Sequence, residues 1–156
     1  MIYETETFTV KLAPKPFVDR DEGGHIIIGV KDKIKDRKFL TPKQNVELAW
    51  LTSLTGEAYW IAMKKRGVDI IKINYQDMGN WYYKNKNWEE HLHVHIFGRV
   101  LNAPHQPFPE SVYLPDRSSG FYDNFKPITP EDETAIQNEI TALLATEKYK
   151  IDNWRF

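Results

Sequence analysis

The sequence contains no cysteine, and that one absence removes disulfide frameworks, thiol nucleophiles and thiolate zinc sites together. It also has no excess of either charge: 21 Lys and Arg stand against 22 Asp and Glu, for a formal net charge of −1. No global field is available to hold a nucleic-acid backbone, so extended DNA or RNA is not expected as a partner. No apolar run approaches the length of a membrane span, and the opening residues MIYETETFTV lack the basic and then apolar layout of a signal peptide. No membrane association is expected, and a cytoplasmic location is. No Gly-rich phosphate loop opens a helix, which argues against a doubly wound parallel sheet.

What is present fits one domain. The 156 residues are 41% hydrophobic and 13% aromatic, enough to bury a core without covalent or metal staples. Thr7 to Leu12 alternates polar and apolar residues as a half-buried strand does, and Pro14 and Pro16 stop it. After the Gly23-Gly24 turn, the β-branched run His25 to Val30 reads as a buried strand. Lys31, Lys33, Lys35, Arg37 and Lys38 outnumber Asp32 and Asp36 in the next segment, which reads as a solvated loop.

Thr41-Pro42-Lys43-Gln44 is a helix-start signature, and Val46, Trp50, Leu54, Ala58, Ile61 and Ala62 recur at helical spacing as far as Gly67. Ile70 to Asn74 and His91 to Gly98 read as strands, with an irregular polar and aromatic loop between them. Five prolines from Pro104 to Pro127 predict a segment that wraps the domain without long regular elements. Thr129-Pro130-Glu131-Asp132 starts a last helix whose apolar face is Ala135, Ile136, Ile140, Leu143 and Leu144. The expected fold is α+β: a mainly antiparallel sheet, one long helix, then an irregular C-terminal segment and a helix. The core spans about residues 8–99 and the C-terminal extension residues 100–156.

The informative residues are His91, His93 and His95, three of the five histidines, at alternate positions of one expected strand. Random placement would give such a triplet on the order of one time in a few hundred, so chance is a poor explanation. Residues two apart in a strand share a face, so the imidazoles project together while Leu92, Val94 and Ile96 face the other way. Three imidazoles on one face cost too much desolvation to serve as filling. A metal site is one use of the row. The outer two histidines stand about 13 Å apart, however, so one ion with bonds of about 2 Å takes at most two of them. Nucleophilic catalysis is the other use: one imidazole attacks phosphorus while its neighbours fix its tautomer and assist the leaving group. His105, alone among prolines, reads as a surface residue.

The run His91-Leu92-His93-Val94-His95-Ile96-Phe97 resembles the signature of the histidine triad (HIT) family, His-φ-His-φ-His-φ-φ with φ apolar. Gly24-His25-Ile26-Ile27-Ile28 followed by Lys31 looks like the family's Gly-His strand, and Asn74 like its Asn after the next strand. The resemblance covers roughly Phe8 to Arg99. It implies that His93 accepts a nucleotidyl group at the α-phosphate and that His95 contacts the phosphate or leaving group. His91 then holds the site from a more buried position, His25 supports it from the neighbouring strand, and Asn74 lines the nucleotide pocket. It further implies a homodimer joined sheet edge to edge, chemistry that needs no metal, and small-molecule substrates such as nucleoside phosphoramidates or dinucleoside polyphosphates.

Two departures stand out. Asn87, a nucleotide-site candidate, occupies the place where many members carry Gln, and Trp88 and Glu89 follow it. The loop before the triad is also long, and its Trp81, Tyr82 and Tyr83 either stack on a base or pack on the domain. The leading reading is a nucleotidyl hydrolase or transferase with a covalent nucleotidyl-histidine intermediate. The alternatives are a nucleotide-binding module with weak turnover, and a His-ligated metal enzyme with Glu89 or Glu90 nearby.

Overall fold

Both Thr-Pro signatures start helices in the computed structural model, which describes residues 1–84 and 87–154. Thr41 Oγ1 accepts from the Gln44 N–H at 3.2 Å and Gln44 Oε1 accepts from the Thr41 N–H at 2.9 Å, a capping box that opens α1 (Pro42–Lys65). Thr129 and Asp132 repeat the arrangement ahead of α2 (Pro130–Leu144).

The strands are β1 (Tyr3–Glu4), β2 (Phe8–Leu12), β3 (His25–Val30), β4 (Lys72–Gln76) and β5 (His93–Arg99). They form one sheet in the order β1-β2-β3-β5-β4, and every neighbouring pair is antiparallel. The fold is α+β, as the pattern predicts; the short β1 is an addition to it. Ile26, Ile28 and Val30 of β3 share one face with Phe8 and Val10 of β2 and with Val94 and Ile96 of β5. Leu48, Leu51, Leu54, Ala58, Tyr59, Ala62 and Met63 of α1 cover that face. Each fully buried side chain of this kind contributes about 1.5–3 kcal/mol. The expected stripe is rotated slightly, since Val46 and Ile61 are only half-buried.

Two strands, β4 and β5, start two residues later than expected and also end later, at Gln76 and Arg99, while β2 starts one residue later, at Phe8. β4 begins at Lys72 because the Ile70 carbonyl accepts from the Trp60 indole at 2.8 Å instead of joining the ladder. β5 begins at His93 because its partner β3 ends: Gly29 lies opposite His93, and past Val30 no strand remains for His91 to pair with. Close approach of the backbones sets β3 against β5. A Cβ on Gly23, at φ 118°, would fall 2.3 Å from the Gly98 carbonyl, so no other residue fits there.

The C-terminal segment belongs to the same core. Ile136 and Ile140 of α2 and the later Tyr149 lie in the cluster formed by the sheet and α1. The junction is held by Asp132, fully buried, which accepts from Arg20 at 2.8 and 2.9 Å and from Arg66 at 2.9 Å. Burial alone would raise the pKa of Asp132, but the two guanidiniums outweigh it and hold the carboxyl well below the usual range. Removing one partner of a buried ion pair costs about 3–5 kcal/mol because the others stay behind unpaired. Asp132→Ala should lose stability of that order in urea unfolding, and a loss well under 1 kcal/mol would contradict this role for the junction.

Candidate active site

The face of the sheet turned away from α1 carries the histidines. Register places Gly29 opposite His93, Ile27 opposite His95 and His25 opposite Phe97, so His25 and His95 stand diagonally across the two central strands. His25 and His95 are buried, and His93 is half-buried. The Phe17 N–H donates to His25 Nδ1 at 3.2 Å, which leaves the proton of neutral His25 on Nε2. His25 Nε2–H then donates to His95 Nδ1 at 2.9 Å, which leaves the proton of neutral His95 on its own Nε2. His93 Nδ1 lies 2.8 Å from the His91 carbonyl oxygen, which can only accept, so His93 carries its proton on Nδ1 and a lone pair on Nε2. Backbone groups at the two ends of the constellation thus select all three tautomers.

Burial holds both supporting histidines neutral. It pushes His25 well below its ordinary pKa, with the nearby His95, Arg117 and His93 acting in the same direction. Burial likewise pushes His95 down to about 3, reinforced by His93 and Arg117.

His93 and His95 open onto a cavity of about 620 Å³. Ala13, Lys15 and Phe17 form one wall, from the segment after β2, and His25 and Ile27 of β3 join the floor. Trp81, Tyr82 and Trp88 come from the loop before β5, and Leu114 and Arg117 from the C-terminal segment. Phe17 stacks on His25 with ring centroids 5.4 Å apart and meets Trp81 edge-on at 5.3 Å. The Lys84 ammonium sits 4.5 Å above the Trp81 ring and pairs with Asp116, joining the loop to the C-terminal segment. Among the described residues, no group of three or more His, Asp or Glu side chains is placed to hold a metal ion.

No protein-family model and no curated protein matches the sequence. Solved structures do match it. A hypothetical histidine triad nucleotide-binding protein from Sulfolobus tokodaii aligns over 94% of this chain and 87% of its own, with a TM-score of 0.60 at 18% identity. A histidine triad protein from Sinorhizobium meliloti aligns over 90% of this chain and 86% of its own, with a TM-score of 0.60 at 21% identity. A zinc-bound histidine triad family protein from Mycobacterium smegmatis aligns over 91% and 84%, with a TM-score of 0.57 at 18% identity. The chain has the histidine triad fold.

Within that fold the expected site residues divide. His25, His93 and His95 come together. His91 lines the same cavity but is exposed, not more buried than the others: it lies just before β5, and its carbonyl oxygen meets His93 Nδ1. Asn74 lies opposite Phe97, outside the residues that line the cavity, and its Oδ1 accepts from Arg99 at 2.9 Å. Register puts Gln76, not Asn74, opposite His95. Asn87 is exposed and does not line the cavity. The basic run is a surface loop, as expected, with Lys31 paired to Glu4, Lys33 to Glu89 and Arg37 to Asp77. His105 is exposed on one side and bonded to Glu22 on the other. Phe17, Lys15 and Arg117 were not expected at the site. Phe17 and Lys15 sit in a stretch whose prolines signal only the end of a strand, and Arg117 sits 22 positions after His95 in irregular chain.

The suppressed histidine pKa values set a stability profile. In the unfolded chain His25 and His95 take up protons near their ordinary value of about 6.5, while in the native fold they stay neutral. The unfolded state binds more protons as pH falls, so stability decreases below about pH 6.5, by up to about 1.4 kcal/mol per pH unit for each histidine. Urea unfolding between about pH 7 and pH 5, where carboxylates remain ionised, should show this loss, with a shallower slope in His95→Asn. A flat profile would contradict the buried neutral pair.

Proposed function

We propose that the chain is a nucleotidyl hydrolase or transferase that works through a covalent nucleotidyl-His93 intermediate. The carrying observation is the assignment of ring nitrogens: with both Nδ1 atoms engaged, a lone pair on His93 Nε2 and an N–H on His95 Nε2 are left at one cavity. His93 Nε2 attacks the α-phosphorus, the bond from phosphorus to the leaving group breaks, and its electron pair leaves with that group. The Nδ1–H bond to the His91 carbonyl supports the positive charge that develops on the ring. His95 Nε2–H donates to a phosphoryl oxygen as its charge grows. Water or another acceptor then attacks phosphorus, loses its proton and restores neutral His93.

Trp81 and Tyr82 supply flat apolar surface for a nucleobase, and stacking on such rings contributes about 1–3 kcal/mol per base. The description of the Sulfolobus tokodaii relative as nucleotide-binding agrees with this reading. The assembly that goes with it is a homodimer. β4 is a sheet edge, with exposed Ile71 and Tyr75 and the neighbouring Trp60 beside it, and such an edge invites pairing with a second copy.

His93→Ala should abolish turnover of nucleoside phosphoramidates and dinucleoside polyphosphates while the fold is retained. His95→Ala should lower kcat by about 10²–10³, the usual cost of losing one such donor. A nucleotide adduct trapped under alkaline conditions should map to His93 by mass spectrometry. Normal turnover by His93→Ala would end this reading. Activity should also survive exhaustive chelation; loss restored by zinc would put the metal reading first. Sedimentation should find a dimer, and a charge at Tyr75 should dissociate it.

A further inference from the structure

The cavity holds a pair of cations that the His93 chemistry as written does not use. The Arg117 guanidinium lies 4.2 Å from the centroid of the Phe17 ring, and that ring lies 5.4 Å from His25 and 5.7 Å from His95. Arg117 is therefore one aromatic ring away from the supporting imidazoles of His25 and His95. Its hydrogen bond among the described residues runs from Nη2 to the Lys15 carbonyl oxygen at 2.7 Å. Among the described residues no carboxylate pairs with it, and the adjacent Asp116 is taken by Lys84. Lys15, on the same wall, has no ion pair among the described residues, and the acidic lining residue, Glu89, is paired to Lys33 at 3.4 Å. Partial burial draws the pKa of Arg117 below its ordinary value, opposed only by Tyr122. Among the described residues this wall of the cavity thus offers two positive charges that no carboxylate pairs with.

The acid–base state of the cavity points the same way. A leaving amine must collect a proton as its bond to phosphorus breaks, whereas a phosphate chain departs as an anion and needs countercharge instead. His95 is held neutral by burial, so it offers a hydrogen bond and not a labile proton. We propose that Arg117, with Lys15, forms a leaving-group subsite for a phosphate chain, so that the preferred substrate carries its nucleotidyl group on a P–O–P bond and not on a P–N bond. This rests on the nucleotidyl-His93 reading. In the step, His93 Nε2 displaces the bridging oxygen, which leaves with its electron pair as the terminus of the departing phosphate chain; water later releases the nucleoside monophosphate and one proton.

A rival position exists. Lys35, Arg37 and Lys38 line a groove of about 350 Å³ that also reaches His93. There Arg37 is neutralised by Asp77 at 2.7 Å and Lys38 lies 3.7 Å from Asp36, and His95 does not line that groove. The hydrogen-bond donor and the unpaired guanidinium share only the first cavity.

The test is calorimetric binding of AMP, ADP, ATP and inorganic tripolyphosphate to the full chain carrying His93→Ala, alone and combined with Arg117→Met, Arg117→Lys or Lys35→Met. Melting curves would confirm that each variant folds. Charge-assisted hydrogen bonds contribute about 1.5–3 kcal/mol, equivalent to about 10- to 100-fold in affinity. Arg117→Met should therefore weaken ADP, ATP and tripolyphosphate by that factor and AMP by about twofold or less, with partial recovery in Arg117→Lys. An equal loss for AMP and ATP, or a charge-graded loss in Lys35→Met instead, would overturn the subsite. If no nucleotide binds, the nucleotidyl reading fails, and tripolyphosphate decides the subsite alone: binding that Arg117→Met removes supports it, and no binding refutes it. In protein with His93 intact, Arg117→Met should lower kcat/KM for dinucleoside polyphosphates by about tenfold or more beyond any loss on phosphoramidates. Equal losses on both would overturn the assignment.

Discussion

The hydrogen bond from His25 Nε2 to His95 Nδ1 joins the two central strands on the face that α1 does not cover. Two imidazoles at 2.9 Å cannot both be charged, and burial removes the water that would let either ionise cheaply. The pair therefore stays neutral, and a neutral pair transmits tautomer identity. One backbone N–H, from Phe17, fixes the proton on His25, which fixes it on His95. Phe17 in turn covers His25 with its ring, so the residue that sets the tautomer also maintains the desolvation. The reactive atoms at the cavity follow from this arrangement and from the carbonyl of His91.

Phe17 must itself be held, and the chain after β5 does this without regular structure. The buried guanidinium of Arg99 donates to the carbonyls of Gln106, Pro107 and Glu110 and to Asn74 Oδ1. The Gln106 side chain donates to the Phe17 carbonyl at 3.0 Å and bonds both backbone groups of Tyr113. Glu22, also buried, accepts the backbone N–H groups of His105 and Gln106. Backbone groups that a helix or strand would satisfy internally are satisfied here by three polar side chains. Each is costly to bury alone, so these bonds favour one path for the segment despite its prolines.

The parts legible in the sequence are those with a local cause. Thr41 with Gln44 and Thr129 with Asp132 declare helix starts through bonds that span three residues, and both are observed. The alternation of His25 to Val30 and of His93 to Ile96 sorts apolar from functional faces because strand geometry has a strict period of two. His91 keeps the alternation, lining the cavity while Leu92 joins the core, but it is exposed and not buried for a reason outside its own neighbourhood: the partner strand ends at Val30 and leaves it beyond the ladder. Asn74 fails similarly, since the offset between β4 and β5 decides which side chain meets His95, and no local pattern encodes that offset. Arg117 carries no local signal because its place at the cavity depends on the path of the intervening chain, which Arg99 and Gln106 hold through contacts distant in sequence.

Chemistry and selectivity consequently rest on different kinds of structure. The three site histidines sit on paired strands, where register sets their relative positions as tightly as the backbone ladder allows. The cavity walls come from the segment after β2, the loop before β5 and the C-terminal segment, none of which belongs to the sheet. A change in wall composition therefore alters what the cavity accepts without shifting the nucleophile. The walls are not independent of one another, because Lys84 with Asp116 and Arg117 with the Lys15 carbonyl tie each to the next across the opening. Substitutions on different walls should then couple in their effects on binding, while those on the helix-covered face of the sheet act on stability.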